Sequence, residues 1–165
     1  MRVVLAGSGL RPTHVLSVMK EMMPELEMVG FYDPQPTYID DLGPDIPRFD
    51  TVNEMLANTK PDLFFVGSPN AFHLDQIREG LEAGVRIFTE KPVVVTVAET
   101  MELAALLAKY GTDRVMVGLV LRYSQHMWTC GPRWRRGSWG VWCRLRRTNI
   151  SRRITDHFSC ATGGG

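Results

Sequence analysis

Cysteine and tryptophan are missing from residues 1–124, and lysine is missing from residues 125–165. Without cysteine, the longer segment can hold neither a disulfide framework nor a thiolate metal cluster. Long apolar runs are missing as well. None approaches the roughly 18 residues that would span a membrane. The first run stops at Gly7, too short for the apolar part of a secretory leader. His14 has no partner at ligand spacing, and Met19, Met22 and Met23 fall in an apolar helical stripe rather than a metal box. These absences point to a cytoplasmic protein with no metal and no membrane contact.

What is present divides in two. The whole chain of 165 residues has a formal net charge of +1, ordinary for one globular domain. Residues 1–124, however, hold 11 Lys and Arg against 17 Asp and Glu. Residues 125–165 hold eight Arg against a single acid, Asp156, with every tryptophan (Trp128, Trp134, Trp139, Trp142) and every cysteine (Cys130, Cys143, Cys160). The expected organisation is a domain over residues 1–124 and a compositionally foreign tail over 125–165.

The domain opens on Arg2-Val3-Val4-Leu5-Ala6-Gly7-Ser8-Gly9-Leu10-Arg11-Pro12. The apolar residues read as a short buried strand that runs into a Gly-x-Gly turn and then a helix. A diphosphate needs close backbone approach and free amide hydrogens; glycine allows the first, and a helix N-terminus supplies the second. Gly7, Ser8, Gly9 and Leu10 are therefore candidate cofactor contacts. Pro12 stands where a third glycine is usual, and it is expected to loosen the turn. A strand-helix turn without a ligand is the other reading of this stretch. The helix after it carries Val15, Leu16, Val18, Met19, Met22 and Met23 on one stripe and closes at Pro24.

Glu27–Asp33 reads as a second strand ending on an acid. A carboxylate there accepts hydrogen bonds from the adenosine ribose. Asp33 stands 26 residues beyond Gly7, near the spacing of about 20 for that role. It would repel a 2′-phosphate, and no Lys or Arg follows until Arg48, so NAD is favoured over NADP. A solvated turn residue is the alternative for Asp33. A short strand near Ile46–Phe49, a helix capped by Asp50 or Thr51, and a strand over Pro61–Gly67 come next. The unbroken apolar core of that strand suits a parallel sheet covered on both faces. Asn70 is placed to cap a helix carrying Phe72, Leu74, Ile77 and Leu81, which stops at Gly84. A strand over Val85–Phe88 leads to Thr89-Glu90-Lys91-Pro92. Thr96 and Glu99 form a capping box for a helix packing Met101, Leu103, Leu106 and Leu107 inward, and Arg114–Gly118 is a last strand. Alternating strands and helices give an α/β fold: a doubly wound parallel sheet of Rossmann type, followed by an irregular tail. The candidate loops all fall at strand carboxyl ends, where such sheets bind ligands.

These residues resemble the N-terminal NAD(P)-binding domain of the Gfo/Idh/MocA oxidoreductases over residues 1–124. The specific marks are Gly67-Ser68-Pro69-Asn70 with His73, Ala83-Gly84 leading to Phe88-Thr89-Glu90-Lys91-Pro92, and Arg122-Tyr123. The resemblance implies that Ser68, Pro69, Asn70 and His73 lie along the cofactor towards its nicotinamide. It implies that Glu90 orients, that Pro92 bends the chain, and that Lys91 is a buried catalytic-site cation, with both Glu90 and Lys91 also near the cofactor. A cation there stabilises the alkoxide-like charge formed as an alcohol becomes a ketone. Left open are a simple Glu90–Lys91 surface ion pair and a capping or packing role for His73. The implied activity is NAD-dependent hydride transfer to or from a sugar, cyclitol or similar small molecule; a non-catalytic dinucleotide-binding module is the alternative. Family members continue into a second domain that walls the substrate, supplies an Asp and a His for proton transfer, and forms the homo-oligomer interface. No trace of it is read in residues 125–165, so the chain is expected to lack turnover and that interface.

For the tail, three readings compete. Arginine and tryptophan could bind nucleic acid through phosphate pairing and base stacking; the tail could be an extension without function; or it could be translated out of frame. The genetic code favours the third. Read from the third base of the Met127 codon, Met127-Trp128-Thr129 must give Val-Asp, and Trp142-Cys143 must contribute Val. Permitted codons elsewhere yield a helix-patterned segment, a Gly-x-Leu-Gly turn and an alternating strand. The expectation is one nucleotide lost near codon 127, with nucleic-acid binding the least favoured reading.

Overall fold

The computed structural model describes residues 1–119 and the two-residue strands Cys143–Arg144 and Ser159–Cys160. Arg122, Tyr123 and the other tail residues named above lie outside the described residues. The two short strands pair antiparallel, Cys143 opposite Cys160. Among the described residues, no helix is long and apolar enough to cross a membrane.

Five strands form the main sheet: β1 (Arg2–Ala6), β2 (Glu27–Tyr32), β3 (Leu63–Val66), β4 (Arg86–Thr89) and β5 (Val115–Val117). All pairings are parallel, in the order β2-β1-β3-β4-β5. The strand expected near Ile46–Phe49 is reduced to a single parallel bridge, Phe31 with Arg48. It lies beside β2 and completes the doubly wound order on that side. Four helices join the strands: α1 (Leu10–Met22), α2 (Val52–Thr59), α3 (His73–Glu82) and α4 (Val97–Tyr110).

The alternation of side chains along parallel strands sorts the core into two layers. Val4, Ala6, Phe64, Val66 and Ile87 pack on one face with Met55, Ile77 and Leu103 from the helices. Val3, Leu5 and Phe65 pack on the other with Leu16 of α1. Thr51 caps α2 through the Glu54 amide, and the Thr96–Glu99 capping box is formed.

Several packing expectations need correcting. Val18 and Met22 of α1 and Met101 of α4 are exposed, as is Phe72. Val18 and Met101 each stand two residues from a buried leucine, about 200° around the helix, so they face away from the sheet. Asn70 does not cap α3. It begins a 3-10 turn over Asn70–Phe72, and the helix starts at His73 with no side-chain cap.

Candidate functional site

The chain leaves β1 for β2 on one side and returns to β3 on the other, so a crevice opens at the carboxyl ends of β1 and β3. Gly7 follows β1 at φ 85°, and a Cβ on it would lie 2.5 Å from the Ser68 backbone. Only glycine fits there. Gly9 precedes α1 in an extended conformation with no side-chain cap, and a Cβ on it would meet nothing within 3.9 Å. Pro12 has no amide hydrogen, so Leu10 and Arg11 present the open donors of this first turn.

Pro12 does not loosen the turn as expected. It is buried, and its ring fills the space over Gly67, where a Cβ would lie 2.4 Å from the Pro12 Cβ. The close approach of helix to strand is kept, with the bare position moved from the helix to the loop after β3.

Ser8 is buried and fastens the first loop to the end of β2. Its amide and hydroxyl donate to Asp33 Oδ2 at 2.6 and 2.8 Å, while the Gln35 amide donates to Oδ1 at 2.8 Å. Burial pushes the Asp33 carboxyl up, but the hydrogen bonds from Ser8 and Gln35, with the charge of Arg48, outweigh it and hold the carboxyl below its ordinary value. Asp33 is therefore held as an anion at the carboxyl end of β2, with Ser8 on one oxygen and the turn amide of Gln35 on the other.

On the far side, His73 is buried between two loops. Its Nε2 lies 2.8 Å from the Ser68 carbonyl oxygen and its Nδ1 2.9 Å from that of Pro92. Carbonyl oxygens only accept, so a neutral ring satisfies one contact and the imidazolium both. The Ser68 hydroxyl donates to Gln76 Oε1 at 2.6 Å. Pro69 and Asn70 are left at the surface beside this clip.

Glu90 is buried and does not pair with Lys91; its Oε2 accepts from Arg11 Nε at 2.8 Å. Lys91 is exposed, not buried as the resemblance implied, and makes no ion pair among the described residues. With its carboxylate neighbour occupied, its ammonium remains available to a bound molecule. Thus Gly7 touches Ser68, Ser8 binds Asp33, His73 joins Ser68 to Pro92, and Arg11 joins the first turn of α1 to Glu90. Arg11 was not singled out from sequence, yet it carries a signal. A cation in the first turn of a helix opposes the helix dipole and calls for a specific acid nearby.

Comparison with known proteins fits this arrangement. A family model described as the Gfo/Idh/MocA oxidoreductase family with an NAD-binding Rossmann fold matches residues 1–119. The chain is 29% identical over 129 residues to the D-glucoside 3-dehydrogenase of Escherichia coli, covering 76% of this chain and 35% of that protein. Its fold superimposes on scyllo-inositol dehydrogenase from Lactobacillus casei, solved with bound NAD(H) and scyllo-inositol, with a TM-score of 0.70 at 19% identity, covering 86% of this chain and 43% of the other. The WlbA dehydrogenase of Thermus thermophilus, in complex with NAD and UDP-GlcNAcA, gives 0.69 at 25% identity over 86% of this chain and 48% of its own. The chain thus spans less than half the length of each.

Proposed function

The chain belongs to the Gfo/Idh/MocA oxidoreductase family, and on that premise we propose that residues 1–119 hold NAD and serve a dehydrogenase acting on a sugar, cyclitol or similar polyhydroxylated molecule. The site fits a dinucleotide on its own geometry: open space over Gly9, two uncovered amides at the start of α1, and a carboxylate held at the end of β2. In this reading Gly7, Ser8, Gly9 and Leu10 face the diphosphate, and Asp33 accepts from the ribose hydroxyls. Ser68, Pro69, Asn70 and His73 line the path towards the nicotinamide. Glu90 fixes its loop through Arg11. Lys91 donates a hydrogen bond to the substrate hydroxyl oxygen and stabilises negative charge there as the hydride leaves the carbon. When bound, NAD supplies the hydride acceptor.

The observation that supports this reading best is the Asp33 carboxylate anchored on Ser8 at the sheet's switch point, beside the bare Gly9. NADH fluorescence titration tests it. The chain should bind NADH, with ADP-ribose as a competitor. Asp33→Ala should weaken binding about tenfold, the worth of a charge-assisted hydrogen bond. Lys91→Ala should change it by less than about threefold, since its role falls on substrate and not on the carrier. No binding by the parent chain would overturn the reading. For residues 125–165 we infer translation out of frame, from their composition and the forced codons described above.

A further inference from the structure

The loop after β4 that carries Lys91 is fastened at both ends. The Glu90 amide donates to the Val66 oxygen at 2.9 Å, and the Val95 amide to Glu99 Oε2 at 2.8 Å. Between these points, among the described residues, one hydrogen bond reaches it from another element: that between His73 Nδ1 and the Pro92 oxygen, at 2.9 Å. Nε2 of the same ring meets the Ser68 oxygen at 2.8 Å. The Ser68 loop has further holds, since its hydroxyl donates to Gln76 on the next turn of α3 and its backbone lies against Gly7. One ring, 1% exposed, thus joins a well-fastened loop to a loosely fastened one.

We propose that His73 is a positioning residue for Lys91: it places the ammonium against the Ser68 loop, and it holds both loops at once in its imidazolium form. The inference rests on the dinucleotide reading above, in which Lys91 faces the substrate, and names what sets its place. Both partners of the ring are carbonyl oxygens, which accept and never donate. The imidazolium donates to both, and two charge-assisted hydrogen bonds offset the burial of its charge. A neutral ring has one such hydrogen, so one of the contacts sets lone pair against lone pair and must lengthen. Ser68 is also held by Gln76, so the Pro92 contact is the one that opens, and Lys91 moves with it. None of the charged side chains on the same elements bonds the ring. On α3, Asp75 pairs with Arg78; on the loop after β4, Glu90 pairs with Arg11 of α1, and Lys91 makes no ion pair among the described residues.

The test reads acetylation of Lys91 against that of Lys60 in the same chain, by mass spectrometry, with NADH either saturating or absent. In the parent, NADH should slow the labelling of Lys91 about fivefold, the worth of about one hydrogen bond. His73→Asn sets an amide donor near the place of Nδ1 and should keep most of that protection. His73→Gln sets the donor near the place of Nε2, keeps the Ser68 contact, and should lose the protection. A ring that only filled space would lose it equally in both. In the parent, protection should also fall as the His73 ring gives up its proton, followed by nitrogen NMR of the ring across the same pH series. The proposal is overturned by equal protection in the two variants, or by parent protection that stays level through the titration of the ring. Absence of NADH binding by the parent would remove the dinucleotide reading and this inference with it. Binding without a difference between the two variants would remove the inference alone.

Discussion

A guanidinium in the first turn of α1 sits at the positive end of the helix dipole, which costs up to about 1 kcal/mol at an exposed position. Arg11 meets that cost through Glu90, whose side chain is 8% exposed against 47% for Arg11. The two partners are therefore unequal. Removing the arginine strands a buried carboxylate, whereas removing the carboxylate leaves a cation that water can solvate. Arg11→Ala is expected to destabilise the chain by about 2 kcal/mol, less than a fully buried pair because Arg11 is half exposed. Glu90→Gln should cost clearly less. In Arg11→Ala/Glu90→Gln most of the loss should return, because no unpaired charge remains. Urea unfolding midpoints of the four proteins close the cycle. Additive losses would mean that the contact carries no coupling. Glu90 could be picked out from the Glu-Lys-Pro run; its partner could not. Helical and strand periodicity report which face a side chain takes, and they carry nothing about an acid on a distant loop.

At the level of elements, α1 and β3 meet through one residue pair in which a glycine has changed sides. Glycine at position 12 would let the helix lie close to the sheet; here Pro12 fills that place and Gly67 is bare. Gly67→Ala is expected to cost about 2 kcal/mol by overpacking, with weaker NADH binding as α1 and its open amides move off the crevice. Pro12→Gly/Gly67→Ala restores the usual glycine spacing and removes the ring that the new methyl strikes, so it should recover part of both losses. A urea series with NADH titrations reads the coupling, and strict additivity would refute the exchange of roles. Which elements form was legible because the signals are local: apolar runs for β1 and β3, the Thr96–Glu99 box, the Thr51 cap. Their partners were legible only where a residue type constrains both sides. Val18 and Met101 face outward because the strip of helix that touches the sheet is narrower than the apolar stripe, and Phe72 because it lies in the 3-10 turn ahead of α3.

Across the whole sheet, the two faces are not covered alike. On the face packed by α2, α3 and α4, the side chains continue to Val115 of β5. On the other, Leu5 and Phe65 lie under α1, and Phe65 and Phe88 stack with ring centroids 4.7 Å apart. Met116, level with Phe88 in the strand register, is 50% exposed. Parallel sheets are buried on both sides, yet Met116 of β5 is left half open among the described residues. A covering element would have to follow β5 closely, since adjacent elements in such folds are joined by short connections. In the frame as written, residues 125–136 match neither a helical nor a strand pattern and carry three of the tail's arginines with two of its tryptophans. In the shifted frame, the same stretch of codons permits an apolar helical repeat where the open face calls for one. The composition break and the exposed Met116 at the last described strand of the main sheet thus point to the same place. Sequencing the coding DNA across codons 120–165 should reveal one missing nucleotide near codon 127. Restoring it should give a chain with a higher urea midpoint and a less exposed Met116, read by its slower oxidation with peroxide. The written frame recovered intact from several independent isolates would refute the shift, and unchanged Met116 reactivity in the restored chain would show that the restored segment does not cover this face.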